Sequence, residues 1–220
     1  MDPANTKSYP GTGTTVLDLS GNSYSGTLRN GVTFAANAFG FDGMDDHIIW
    51  SSPSSRWSWT PSGSGLNTMT IDIWVKTTDG SGIVVSKPWN GNGEYNYWIH
   101  SGNAWYVSSG GAGYTQGFSS YLTGLWENIT CIVTPTQVAT YRNGSLSANF
   151  ANHLLTGNTP TYGNSNLELT CMTMYPYGST FDIPSHAVVG NVGLFRVYNR
   201  VLSATEVLQN YSAARGRFGR

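Results

Sequence analysis

An all-β fold is what the sequence predicts: two antiparallel sheets packed face to face as a sandwich, with one short C-terminal helix. Three observations predict it. Turn signals recur along the whole chain, at Pro10-Gly11, Ser20-Gly21-Asn22, Asn30-Gly31, Asp42-Gly43, Asp79-Gly80, Asn90-Gly91 and Asn143-Gly144. Short runs rich in β-branched and aromatic residues lie between them, and in those runs apolar residues alternate with period two. The 220 residues also carry 8 Trp, 13 Tyr and 8 Phe against only 10% charged residues, where soluble domains average roughly 25%. Aromatic side chains bury large areas, so one core is affordable, and the surface must be built from Ser, Thr, Asn and Gly.

Taken along the chain, the clearest strand is Thr70 to Lys76, in which Ile71, Ile73 and Val75 share one face. Ile129, Cys131 and Val133 alternate likewise, as do Leu167, Leu169 and Cys171. The two cysteines therefore sit on apolar faces; two buried thiols are the reading, and a bridge is the alternative. Val138 to Arg142, then Asn143-Gly144, then Ser145 onward reads as a hairpin with a type I′ turn, since Asn-Gly tolerates positive φ. One helix is expected. Ser203-Ala204-Thr205-Glu206 is a capping box, Leu202 and Val207 form its hydrophobic staple, and the helix should end near Tyr211. No repeat or long linker divides the chain, so residues 1–220 read as one domain, with 212–220 as a basic C-terminal tail.

The net charge of −1 provides no general field for nucleic acid or an anionic membrane. No apolar run reaches the 18 residues a membrane-spanning helix needs. Met1-Asp2-Pro3 runs directly into polar residues, so no signal peptide is expected in this sequence.

Six segments, in order, resemble the concanavalin A-like lectin/glucanase superfamily and its laminin-G-like domains. They are Asp18 to Asn22 with Gly26 to Leu28, Phe41 to Asp46, Ile71 to Lys76, Trp126 to Thr130, Tyr141 to Gly144, and Phe195 to Val207. The resemblance implies a jelly-roll sandwich of two curved antiparallel sheets. Residues 2–11 and 210–219 are similar to the edges of such domains in bacteriophage structural proteins. That likeness implies a virion surface protein that decorates the capsid, with capsid or other virion proteins as partners and lysis as the route out of the cell. A homo-oligomer fits the same setting. The alternative is a carbohydrate-binding lectin or adhesin module of a phage tail or bacterial surface.

Catalysis is not expected. Glucanases of the superfamily place paired carboxylates on one strand, in a Glu-x-Asp-x-x-Glu pattern, because glycoside hydrolysis needs two carboxylates about 5–9.5 Å apart. The four Glu here are Glu94, Glu127, Glu168 and Glu206, and none has Asp two positions on. His47, His100, His153 and His186 are scattered without zinc-ligand spacing. Binding is the better expectation. Trp57, Trp59, Trp89, Trp105 and Tyr114, in or near Gly- and Asn-rich stretches, are candidates to stack on the apolar faces of sugars, host or environmental. The competing assignment for each ring is the core.

No cofactor is required by the sequence, but calcium is the ion to consider. Asp18, Ser20 and Asn22 have the i, i+2, i+4 spacing that begins oxygen-ligand loops, and an Asx-turn braced by the same side chains is the plainer reading. Asp42, Asp45 and Asp46 could brace their own turn in the same way. Relatives carry acids where this chain has Gly193 and Leu194, which weighs against the metal. Arg215, Arg217 and Arg220 could dock on an acidic patch of a neighbour, against the alternative of a frayed terminus.

Overall fold

The structure, a computed structural model, describes residues 1–50, 67–88, 95–102, 104–109, 112–117, 124–151, 168–173 and 186–220. Fifteen strands are present among them: β1 (Thr15–Val16), β2 (Gly26–Arg29), β3 (Thr33–Ala35), β4 (Ala38–Asp42) and β5 (His47–Trp50) open the chain. Next come β6 (Met69–Thr77), β7 (Ile83–Pro88), β8 (Tyr95–His100), β9 (Ala104–Ser109) and β10 (Ala112–Gly117). Then follow β11 (Glu127–Val133), β12 (Gln137–Arg142), β13 (Ser145–Ala151), β14 (Leu169–Cys171) and β15 (Val189–Tyr198). Helix α1 (Ala204–Arg215) and a 3₁₀ turn (Gly216–Phe218) close it.

The strands form two sheets in which every pairing is antiparallel. One has eight strands in the order β1-β2-β5-β14-β7-β8-β9-β10, and the other seven in the order β13-β12-β11-β6-β15-β4-β3. The expected two-sheet sandwich with a C-terminal helix is therefore what the chain forms. Its alternating residues meet between the layers: Ile71, Ile73 and Val75 of β6, Ile129, Cys131 and Val133 of β11, and Leu169 and Cys171 of β14 all belong to the main buried core. Each such side chain contributes about 1.5–3 kcal/mol through burial. Cys131 and Cys171 are free, buried thiols. Leu167 lies outside the described residues. The β12–β13 hairpin turns through Asn143 and Gly144 at φ +50° and +77°, the two positive values a type I′ turn requires.

The seven-stranded sheet is covered on its outer face too. Trp74 of β6 and Leu194 of β15 point away from the main core and pack with Ala214 and Phe218, joined by Trp126 and Tyr211. Beside them Ile132, Ala139, Leu202 and Val207 form a third cluster. Phe218 stacks on Trp74 with ring centroids 4.3 Å apart, and Tyr211 stacks on the same indole at 5.6 Å. Such pairs are worth about 0.5–1.5 kcal/mol beyond their burial.

This packing corrects the reading of the C-terminus. The capping box is present as expected, with the Glu206 amide donating to Ser203 Oγ at 3.3 Å and the Ser203 amide donating to Glu206 Oε2 at 2.8 Å. The helix, however, continues past Tyr211 to Arg215, and Phe218 beyond it is buried. Residues 212–220 are thus helix and anchored turn instead of a tail. Nothing before Gly216 breaks the helix, because Ser212, Ala213, Ala214 and Arg215 all tolerate it, and Trp74 rewards the extra turn.

Candidate functional site

Described turns from four parts of the chain meet at one end of the sandwich. At that end β4 leaves the seven-stranded sheet and crosses to β5 in the other through Asp42-Gly43-Met44-Asp45-Asp46. Gly43 lies against the start of β15 at Val189, and the Thr77 hydroxyl donates to the Val189 carbonyl at 2.7 Å. The Ile83 amide donates to the His186 carbonyl at 2.9 Å, and the Gly82 amide to Ser101 Oγ at 3.0 Å.

The crossing turn carries the densest charge. One oxygen from each of Asp42, Asp45 and Asp46 lies within 4.8 Å of the other two. Asp42 Oδ1 accepts from the Met44 amide at 2.8 Å, and Asp46 Oδ2 accepts from the Asp42 amide at 3.2 Å. Burial first, and then the neighbouring Asp42 and Asp45 charges, hold the Asp46 carboxyl above its ordinary value, although the Asp42 amide opposes them. The sequence reading gave these three acids only a bracing role. The spacing D-G-x-D-D was the available signal, but it shows proximity only once the turn is known to fold back.

Asp18, Ser20 and Asn22 do come together, and they do so as a braced turn. Asp18 Oδ1 accepts from the Ser20 amide at 2.9 Å, and Oδ2 from the Ser20 hydroxyl at 2.6 Å and the Tyr24 amide at 3.2 Å. Asn22 in turn donates to Ser20 Oγ at 2.8 Å. Both Asp18 carboxylate oxygens and Ser20 Oγ are engaged within the turn, the pattern of the Asx-turn alternative. Gly193 explains the missing acids on β15. A Cβ there would stand 2.2 Å from Phe218, so the glycine vacates a slot for that ring, and Leu194 packs beside it.

Two of the three C-terminal arginines are occupied within the chain. Arg217 donates to Asp2 Oδ1 at 2.6 Å and to the Gly193 and Asn37 carbonyls at 2.8 and 2.9 Å. Arg220 pairs with the buried Glu127, which Arg142 also holds at 2.9 Å. Arg217 and Arg220 thus have acidic partners within the chain, and Arg215 is exposed.

Of the aromatic candidates, Trp57, Trp59 and Trp89 lie outside the described residues. Trp105 and Tyr114 fall on β9 and β10, Trp105 opposite Gln116 and Tyr114 opposite Val107, so both are strand positions and not loop positions; their side chains lie outside the described part. Toward the opposite end, Lys87 of β7 is fully buried, and burial lowers its ammonium to about 7 against the pull of Glu168. Burial likewise raises Glu168, with Lys87 and Arg29 opposing. Neither residue was singled out from sequence, where a lysine on a strand reads as surface.

The described carboxylates do not form a hydrolytic pair on one strand. Asp72 is buried and accepts from Asn128, Thr130 and Arg196 at 2.7, 2.9 and 2.8 Å, Glu127 is held by arginines, and Glu206 caps the helix. Among the described residues, no helix is long and apolar enough to cross a membrane.

Comparison with known proteins adds the following. The family model of the concanavalin A-like lectin/glucanases superfamily, laminin G type 3, matches residues 42–208. A search of curated proteins finds no match. Among solved structures, the chain is similar to the binding domain of Paraclostridial Mosquitocidal Protein 1, with a TM-score of 0.65 and 16% identity over 90% of this chain and 49% of that one. It is also similar to the binding domain of Botulinum neurotoxin DC in complex with rat synaptotagmin II, with a TM-score of 0.63 and 13% identity over 92% and 50%. The same binding domain in complex with SialylT gives a TM-score of 0.62 and 13% identity over 90% and 48%. The chain spans about half the length of these solved domains, and identities this low speak to fold alone.

Proposed function

Since the chain belongs to the concanavalin A-like lectin/glucanases superfamily, we propose that it is a non-catalytic binding module that recognises carbohydrate through the loops at the ends of its sandwich. The observation that carries this reading is the family match over residues 42–208, laid on two sheets in which the buried strand acids Asp72 and Glu127 are consumed by structural partners. Fold alone does not fix function. Support comes from the similar domains solved with rat synaptotagmin II and with SialylT, binding units that share this architecture. Trp57, Trp59, Trp89, Trp105 and Tyr114 remain the rings proposed to stack on sugar, with Trp105 and Tyr114 contributed by strands β9 and β10 beside the loops.

The test is a glycan array probed with the intact chain, followed by Trp→Ala and Tyr114→Ala variants. Saturable capture of a defined sugar, weakened about tenfold or more (about 1.4 kcal/mol) by at least one variant that keeps the fold, is expected. An array without signal, or capture untouched by all five substitutions, would contradict it.

A bacteriophage virion surface is the proposed setting, with capsid decoration as the role. The observation that favours it is the likeness of residues 2–11 and 210–219 to the edges of phage structural domains. Both segments are built into this fold, through buried Ser8 and Tyr9 at one end and Phe218 at the other. Arg215 is the exposed arginine left to meet a coat protein. Reconstruction of the particle is the test: ordered density for this chain on the capsid is expected, and its absence from purified particles removes the proposal.

A further inference from the structure

We propose that Asp42, Asp45 and Asp46 bind a divalent cation, calcium in the first place, at the turn where β4 crosses to β5. Three carboxylate oxygens within 4.8 Å of one another are an unfavourable arrangement without a counter-charge. Clustering alone would not suffice, since acids also brace turns. The distinguishing feature is Asp46 Oδ1. Asp46 is only 4% exposed, and this oxygen has no hydrogen-bond partner, although its twin accepts from the Asp42 amide. Buried polar atoms are almost always satisfied, so an orphan calls for a ligand.

Gly31 leaves room around that oxygen that a side chain would take. Gly31, at φ +129°, lies beside it, and a Cβ there would stand 3.1 Å from Oδ1. Asn30 ties the same turn to the acids by donating to the Asp45 carbonyl at 3.1 Å. The braced turn at Asp18 offers a contrast, because both of its carboxylate oxygens meet donors. The donor set is all oxygen, which suits a hard cation; the neighbouring imidazole of His47 directs Nδ1 to the Asp45 carbonyl at 2.7 Å. Calcium accepts irregular oxygen sets completed by water, whereas magnesium demands near-octahedral geometry.

The experiment is calorimetric titration of the cation-stripped intact chain with calcium chloride, with magnesium chloride in parallel and thermal melts alongside. A single saturable calcium site is expected, with Kd about 10⁻⁴ to 10⁻³ M, as for extracellular modules. The melting temperature should rise by about 5 °C at a hundredfold excess over Kd. Asp45→Asn should abolish both effects. None of the described hydrogen bonds of the turn uses the Asp45 carboxylate, so this variant should melt in EDTA at or above the temperature of the unaltered chain. Asp46→Asn gives a second reading. No saturable heat with calcium, or binding unchanged in both variants, overturns the proposal. No sugar enters the measurement, so its outcome is independent of the glycan array.

Discussion

Gly193 and Phe218 show how one residue's absence of a side chain shapes a whole face. The ring occupies the space a Cβ would need; it stacks on Trp74 and meets Trp126 at a tilt. Gly193→Ala should therefore cost about 1–3 kcal/mol by overpacking, and Phe218→Ala about 3 kcal/mol by opening a cavity. Urea unfolding of the double variant should show less than the summed loss, because the added methyl enters the hole left by the ring; strict additivity would mean the two do not share the slot. In sequence, Gly193-Leu194 could be read only as missing acids. The slot was not legible, because the ring that fills it lies 25 residues on and meets the strand only through tertiary packing. The orphaned oxygen of Asp46 was hidden for the same reason: unpaired atoms are defined by what surrounds them in space.

Individual elements were legible where local rules decide them. Strands β6 and β11 declared themselves through alternation, the β12–β13 hairpin through Asn143-Gly144, and the start of α1 through its capping box. The end of α1 was missed because Tyr211 looked like a last apolar residue, while the packing of Phe218 on Trp74 carries the chain farther. Strand β10 gave little signal, since Gly, Thr and Gln make up most of Ala112 to Gly117, and its pairing with β9, not its propensity, makes it a strand. The helix start also carries a pH dependence. Arg200, at 2.8 Å, and then the Ser203 amide and hydroxyl hold the Glu206 carboxyl down at about 2 from an ordinary 4.5. A carboxyl lowered in the folded state stabilises it above its unfolded value and loses that contribution as pH falls through the folded one. Protection of the first-turn amides of α1, taken relative to their intrinsic exchange rates, should fall between about pH 4.5 and 2, and in Glu206→Ala it should already be low at pH 6. A turn equally protected in both proteins across that range would contradict the role of the cap. High salt should weaken the effect, since the pair is exposed.

At the scale of the molecule, the sandwich was readable because period-two alternation specifies two buried faces, but the ends of the sandwich were not, because they join turns far apart in sequence. Groups trapped between the sheets set the overall response to alkali. Lys87 is lowered to about 7 by burial, so from pH 7 toward its ordinary 10.5 the unfolded chain holds more protons and stability rises with pH. Burial raises the Cys131, Cys171 and Tyr97 acids, so once unfolded thiols ionise near about 8.5 the slope reverses. Melting temperature should climb from pH 7 to about 8.5 and then fall; burial lowers the Met1 amine too, so Lys87→Met should remove most of the climb and leave only a part that ends near pH 8, while a climb undiminished in that variant would assign it to another group. Binding is the molecule's proposed work. The most direct measurement is to incubate the intact chain with the oligosaccharide it captures on an array, titrate the complex, and weigh the sugar afterwards. Saturable binding with the sugar recovered at unchanged mass is the expected result. A shortened sugar, or a failure to saturate with any sugar offered, would contradict the reading of this sandwich as a non-catalytic carbohydrate-binding module.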